Sequence, residues 1–320
     1  MPTTRRDDAN YRCYDGPPAW SGPRSPIPSS RMTDREPRLL QCVVNVSEGR
    51  DEKVVSALAA SAGRCLLDVH SDPHHHRSVY TLAGAPDEVQ NATRSLARTA
   101  LASIDIREHV GVHPRIGALD VVPFASLVGA RVRNGSLDVA IEARDAFAAW
   151  AGRDLNLPCF LYGPERNLPE LRQTAWSSLR PDTGPDAPHP TAGAAAVGAR
   201  EILVAYNLWL SEADLDQARR VAAALRSPHL RTLGLATASA VQVSCNLIAP
   251  WTFGPGDAFD AVASRVSVDR AELVGLIPLA VLEAEPPHRW EELGLSPSAT
   301  IEARLERAGL DGGRFGGHNG

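Results

Sequence analysis

Residues 64–105 read RCLLDVHSDPHHHRSVYTLAGAPDEVQNATRSLARTALASID, two apolar stretches parted by a polar turn and followed by a helix signal. Arg64 to Val69 and Arg77 to Leu82 carry the short apolar runs of strands, and the Ser-Asp-Pro segment between them supplies turn chemistry. Pro86 then stands where a helix can begin, since its missing N–H is not needed in a first turn. Asp87 and Glu88 complement the positive end of that helix, and Val89, Ala92, Leu96 and Ala100 recur at helical spacing until near Asp105. A strand pair leading straight into a helix is the middle of a β-α-β-β-α-β unit, and the flanks complete it. Leu39 to Val46 reads as a strand and Asp51 to Ala62 as a helix before it, and Ala118 to Phe124 as a strand after it. Ser136 caps a further helix bearing Ile141 and Phe147, and Pro158 to Tyr162 is a short strand.

The same order recurs after a Pro/Gly-rich stretch from Arg180 to Gly193. Ile202 to Leu208 is a strand, Ser211 caps a helix with Leu215, Ala218, Val221 and Leu225 on one face, and Leu230 to Ala236 and Val241 to Ile248 are strands. Asp257 to Val266 is a helix and Leu273 to Leu279 a last strand. The pattern predicts an α+β fold of two ferredoxin-like subdomains with a ligand cleft between them. Residues 38–184 form the first subdomain, 185–285 the second and 286–320 a carboxy-terminal extension. Residues 1–37 hold seven of the 25 prolines without an apolar period and read as a disordered tail, with Met32 as an alternative first residue.

At 320 residues with 43% hydrophobic content, the chain can bury a sizeable core. No run approaches the roughly 20 apolar residues of a membrane span, and the first 30 residues lack a signal-peptide core. Lys53 is the sole lysine, so the 33 basic residues are almost all arginine. With a net charge of −5 this reflects composition rather than a nucleic-acid surface. Five scattered cysteines without a C-x-x-C pair argue against a disulfide framework or structural zinc and fit a reducing cytoplasm.

Six of the ten histidines fall in D-V-H-S-D-P-H-H-H-R and R-E-H-V-G-V-H-P-R-I-G-A-L-D. Imidazole titrates near neutrality and is a common metal ligand, so both segments are candidates for proton transfer or metal binding. His74, His75 and His76 are adjacent loop residues that cannot easily face one ion. A solvated loop, a substrate-facing role and a metal site stay open for them. In the second segment Gly111 interrupts a helical turn and Pro114 disfavours the helical region at His113, which argues against two zinc ligands on a helix face. An extended His113 beside Arg115 points to a ligand-facing residue, with a structural loop histidine as the alternative.

These residues resemble the glutamate formimidoyltransferase family. The resemblance rests on Q-C-V-V-N-V-S-E-G-R (41–50), L-L-D-V-H-S-D-P-H-H-H-R-S-V-Y-T (66–81) and H-V-G-V-H-P-R-I-G-A-L-D-V-V-P-F (109–124). It continues through L-Y-G (161–163), G-P-D-A-P-H-P-T-A-G-A-A-A-V-G-A-R (184–200), V-A-Y-N-L-W-L (204–210), V-Q-V-S-C-N-L (241–247) and V-G-L-I-P-L (274–279). The resemblance implies transfer of a formimino or formyl group from N-formimino-glutamate to N5 of tetrahydrofolate, a co-substrate, with no metal. It implies two ferredoxin-like subdomains enclosing the folate, His113 as the catalytic histidine, and a folate-binding loop from Gly184 to Gly193. Within that loop it assigns Gly184, Pro185, Asp186, Pro188, His189, Pro190, Thr191 and Gly193.

Substrate contacts are expected from Asn45, Glu48, His70, His76, Arg77, His109, Arg115 and Asp120. Arginines 77 and 115 suit bidentate pairing with carboxylates, and Glu48 or Asp120 suits an amidinium. Glu108, Val110, Val112, His70, His76 and Ala192 depart from the family pattern, and fewer basic residues line the implied folate tunnel. A divergent folate-binding homologue acting on another amidine donor, and a metal-dependent hydrolase built on the histidines, are the competing readings. The resemblance further implies a cytoplasmic homodimer, small-molecule substrates, no nucleic-acid or membrane partner, and a cyclodeaminase on a separate chain.

Overall fold

The computed structural model describes residues 38–111, 115–237 and 240–310. The first half opens with β1 (Arg38–Val46), α1 (Glu52–Ser61), β2 (Leu66–Asp72), β3 (Arg77–Gly84), α2 (Pro86–Ser103) and β4 (Leu119–Val128). There follow β5 (Arg133–Asn134), α3 (Leu137–Asp154), β6 (Cys159–Tyr162), α4 (Leu168–Thr174) and β7 (Ala195–Ala199). The second half consists of β8 (Val204–Leu210), α5 (Leu215–Leu225), β9 (Leu230–Ala236), β10 (Val241–Leu247), α6 (Pro255–Ala263), β11 (Val268–Val274), α7 (Leu279–Glu283) and α8 (Ile301–Arg307). The architecture is α+β, as the pattern predicts.

The first sheet runs β2-β3-β1-β4-β7-β6 with β5 beside β4, and the second runs β11-β8-β10-β9. In both, the fourth strand of the unit lies next to the first and the third lies between the first and second. Pairings among β2, β3, β1 and β4 are antiparallel, whereas β7 joins β4 and β6 in parallel. The second sheet is antiparallel throughout.

Alternation sets which face each strand buries. Leu40, Cys42, Val44 and Val46 of β1 and Tyr80 and Leu82 of β3 pack with Val89, Leu96 and Phe147 of α2 and α3 in the first core. The intervening Gln41 and Thr81 are buried polar residues on the reverse face. The second sheet repeats this: Tyr206, Leu208, Val243 and Cys245 meet α5 and α6, while Asn207, Trp209 and Gln242 occupy the other face. Among the described residues, the polar reverse faces meet at the following two contacts. His70 Nε2 lies 3.8 Å from Glu272 Oε1, and Gln242 Nε2 lies 3.2 Å from His75 Nε2.

Local signals act as expected at several boundaries. Asp51 accepts the amides of Lys53 and Val54 to start α1, Pro86 opens α2, and Ser136 accepts Asp138 N–H at the start of α3. Elsewhere tertiary structure overrides them. The helix expected after Ser211 is capped by Asp214, whose carboxylate takes Gln217 N–H at 2.7 Å. The last strand of the unit is Val268–Val274 rather than Leu273 to Leu279, because Gly275 takes φ +82° and Pro278 caps α7. β7, an Ala/Gly-rich strand absent from the sequence expectation and beyond residue 184, inserts into the first sheet. Beyond residue 285, Ile301, Leu305 and Leu310 close over Leu39, Leu67, Ala83 and Leu127 on its reverse face.

Cys42, Cys65 and Cys159 lie in the first core and Cys245 in the second. Burial pushes the Cys42, Cys159 and Cys245 thiols up to about 12 and Cys65 to about 11. No helix among the described residues is long and apolar enough to cross a membrane. Leu82 has no exposed surface and anchors β3 to α2. Leu82→Ala should therefore lower unfolding free energy by about 2–5 kcal/mol, read from urea denaturation.

Candidate functional site

The β2–β3 turn places three histidines in three environments. Asp72 Oδ1 accepts the amides of His74 (2.7 Å) and His75 (3.0 Å), an Asx turn that holds the chain while it reverses. His74 is exposed. The His75 ring turns inward, with Nδ1 2.6 Å from Asp72 Oδ2. Burial would raise the Asp72 carboxyl, but the hydrogen bonds from His75 and from the turn amides outweigh it and hold it well below the ordinary carboxylate range. The solvated-loop reading thus holds for His74 and fails for the buried His75.

His76 takes φ +50°, a left-handed conformation that is costly for a residue with a Cβ. That conformation carries its ring to Glu48, at 3.0 Å from Nε2 to Oε1. The same Glu48 oxygen accepts the amides of Gly49, Arg50 and Asp51 at 2.8, 2.7 and 3.0 Å. Burial would raise its carboxyl, but the amides of Asp51 and Arg50 and then His76 keep it lowered. The other face of the His76 ring stacks on His109, centroids 3.8 Å apart.

His109 comes from the segment after the Ile106–Glu108 turn, not from a helix. Its Nε2 lies 3.0 Å from His76 O, and the Arg115 guanidinium lies against both ring nitrogens, 2.7 Å from Nε2. Burial, then Arg115 and His76, pull the imidazole down to about 4. Gly111 completes the corner, since a Cβ there would stand 2.7 Å from His75 O.

Beside this cluster lies a second charged network. Asp120 has no exposed surface, and its Oδ2 takes Arg77 Nη1 at 2.5 Å and Arg172 Nη2 at 2.8 Å while Oδ1 takes Ile116 N–H at 2.8 Å. Burial raises this carboxyl, but the two guanidiniums outweigh it and keep it ionised. Arg77 Nη2 also donates to Asn45 Oδ1 at 2.9 Å.

The structure therefore brings Glu48, His76, His109 and Arg115 together, and joins Asn45, Arg77 and Asp120 beside them. His70 stands apart, facing Glu272 of the second sheet. His113 lies outside the described residues. The 184–193 segment borders the same corner: Thr191 O accepts Ile106 N–H at 2.7 Å, Ala192 O accepts Ala118 N–H at 2.9 Å, and Ile116 O accepts Ala194 N–H at 3.0 Å. His189 Nδ1 accepts Ala192 N–H at 3.1 Å, and Gly184, Pro185, Asp186, Pro188 and Pro190 are exposed. Gly193, at φ +70°, is required by the chain itself, because a Cβ would stand 2.4 Å from Ile116 O. Arg172 carried no sequence signal, being one arginine on a short polar helix. The Asx-turn pattern D-P-H-H could have marked Asp72 and His75.

A histidine lowered in the folded state favours the neutral form, so stability should rise from pH 4 to 6.5, where the unfolded ring holds the extra proton, and level off above. The His109 ring should titrate near 4 by NMR and move towards 6.5 in Arg115→Ala. Titration near 6.5 in the unaltered protein would contradict the arrangement.

Residues 39–200 match the family model for the formiminotransferase domain, N-terminal subdomain. A glutamate formimidoyltransferase of Streptococcus pyogenes serotype M1 is 33% identical, over 77% of this chain and 91% of that protein. A glutamate formimidoyltransferase of Thermoplasma acidophilum is 28% identical over 84% of this chain and 98% of that protein. The formimidoyltransferase-cyclodeaminase of Sus scrofa is 33% identical over 86% of this chain, which spans only 57% of that relative. The site segments at 45–50, 70–77, 109–120 and 184–193 lie within the matched residues, and the chain belongs to the formiminotransferase family.

Proposed function

We propose that the protein transfers a formimino group from N-formimino-glutamate to N5 of tetrahydrofolate, releasing glutamate. The observation that carries this reading is the match to nearly the full length of a protein named glutamate formimidoyltransferase. The site supports it chemically. N5 attacks the amidine carbon and must lose a proton, and the glutamate nitrogen must gain one as its bond to that carbon breaks. One imidazole can serve both steps. His113 is assigned that role, two residues from Arg115 and four from the neutral His109. Glu48, ionised and beside His76, suits the cationic amidine, and the arginines around Asp120 suit the donor's carboxylates.

The shared strand order of the two sheets supports two ferredoxin-like subdomains, and the polar faces that meet at His70–Glu272 and His75–Gln242 support a ligand cleft between them. The 184–193 segment, stitched to the loop that leads to His113, is assigned to the folate. A cyclodeaminase acting on the product is a fitting partner activity, supported by relatives whose names join the two.

Purified protein mixed with formimino-glutamate and tetrahydrofolate should form 5-formimino-tetrahydrofolate. His113→Ala should lower turnover by roughly 10²- to 10⁴-fold and leave folate affinity nearly unchanged. No product from the unaltered protein, with folate still bound, would replace this reading by that of a divergent folate binder.

A further inference from the structure

We propose that Gln242 is a positioning residue: from the second sheet it holds the His75 ring and, through it, the turn that delivers His76 to Glu48. Gln242 is only 1% exposed and lies on the face of β10 opposite the core residues Val243 and Cys245. Its amide reaches a ring 167 residues away in sequence. Polarity fixes the bond. Asp72 Oδ2 can only accept, so His75 Nδ1 carries a hydrogen, and the Gln242 amide nitrogen that faces Nε2 donates to the lone pair there. An amide N–H is the matching donor, and the opposite amide orientation would set two acceptors face to face.

Gln242 Oε1, meanwhile, is buried without a hydrogen-bond partner. A buried unpaired carbonyl costs free energy that Leu or Met would avoid at this position, so packing alone does not account for glutamine. The other bridge between the sheets is looser. Glu272 Oε2 already accepts Trp209 Nε1–H at 2.9 Å, and its Oε1 stands 3.8 Å from His70, a distance at which attraction tolerates sliding. Of these two contacts, the directional one is at His75. Beyond it, His75 O faces Arg115 Nη2 at 3.4 Å, and the next residue is His76. A displacement of β10 is thereby passed to the cluster of His76, His109 and Arg115.

The test uses the full chain. In Gln242→Leu, amide hydrogen exchange in residues 72–77 should rise about fivefold while the β8–β10 amides stay protected. Gln242→Glu should restore protection, because a carboxylate accepts from a His75 protonated on both nitrogens, and the His75 ring ¹⁵N shifts should change from one tautomer to the doubly protonated form. The kinetic arm rests on the transferase reading: kcat should fall about tenfold in Gln242→Leu with KM within about twofold. Unchanged exchange in Gln242→Leu, or equal loosening in both variants, would overturn the role of Gln242. Absence of turnover in the unaltered protein would count against the transferase reading alone, since exchange and ring shifts need no substrate.

Discussion

Asp120 is the residue on which the site region rests. A carboxylate with no exposed surface must be compensated, and here the compensation comes from three separate pieces of chain: Arg77 on β3, Arg172 on α4 and the Ile116 amide on the loop before β4. Breaking such a buried pair by removing one partner typically costs about 3–5 kcal/mol, which exceeds what any exposed ion pair here could offset. The consequence is geometric. With β3, α4 and residue 116 fixed on one carboxylate, the chain entering β4 is held at a defined point.

Charge is distributed unevenly around that anchor. Glu48, Asp72 and Asp120 are all held ionised despite partial or full burial, each by donors that outweigh desolvation. His109 is treated in the opposite way, pressed by burial and then by Arg115 and the stacked His76 into its neutral form. Fixed charges beside a neutral imidazole give a polar interior that can favour a developing cation without first reorganising. One departure from the family pattern fits this picture structurally: His76 fills the space between Glu48 and His109 with a ring that touches both.

The pattern of residues 64–105 was enough to place β2, β3 and α2, because Pro86 and the helical spacing from Val89 to Ala100 agree with the burial that folding imposes. The sequence pattern shifts β11 towards the apolar run after it, because β11 is an edge strand whose Asp269 and Arg270 face solvent and that run is the stronger signal. β7 leaves no pattern in the sequence because Ala-Ala-Val-Gly-Ala has little strand preference of its own and depends on β4 and β6 at its sides. In the site, Glu48, His76, His109 and Arg115 were legible as residue types in turn-rich segments. Arg172 and Gln242 were not, since what makes them matter is a partner 52 or 167 residues away.

The buried cysteines make the chain its own gauge of opening. A thiol attacks alkylating reagents as thiolate, and burial keeps Cys42, Cys65, Cys159 and Cys245 protonated at neutral pH. Modification of any of them then reports the fraction of time its surroundings come apart. Three sit behind the first sheet and one behind the second, so the relative labelling rates of Cys245 and the other three read whether the halves breathe together or one at a time.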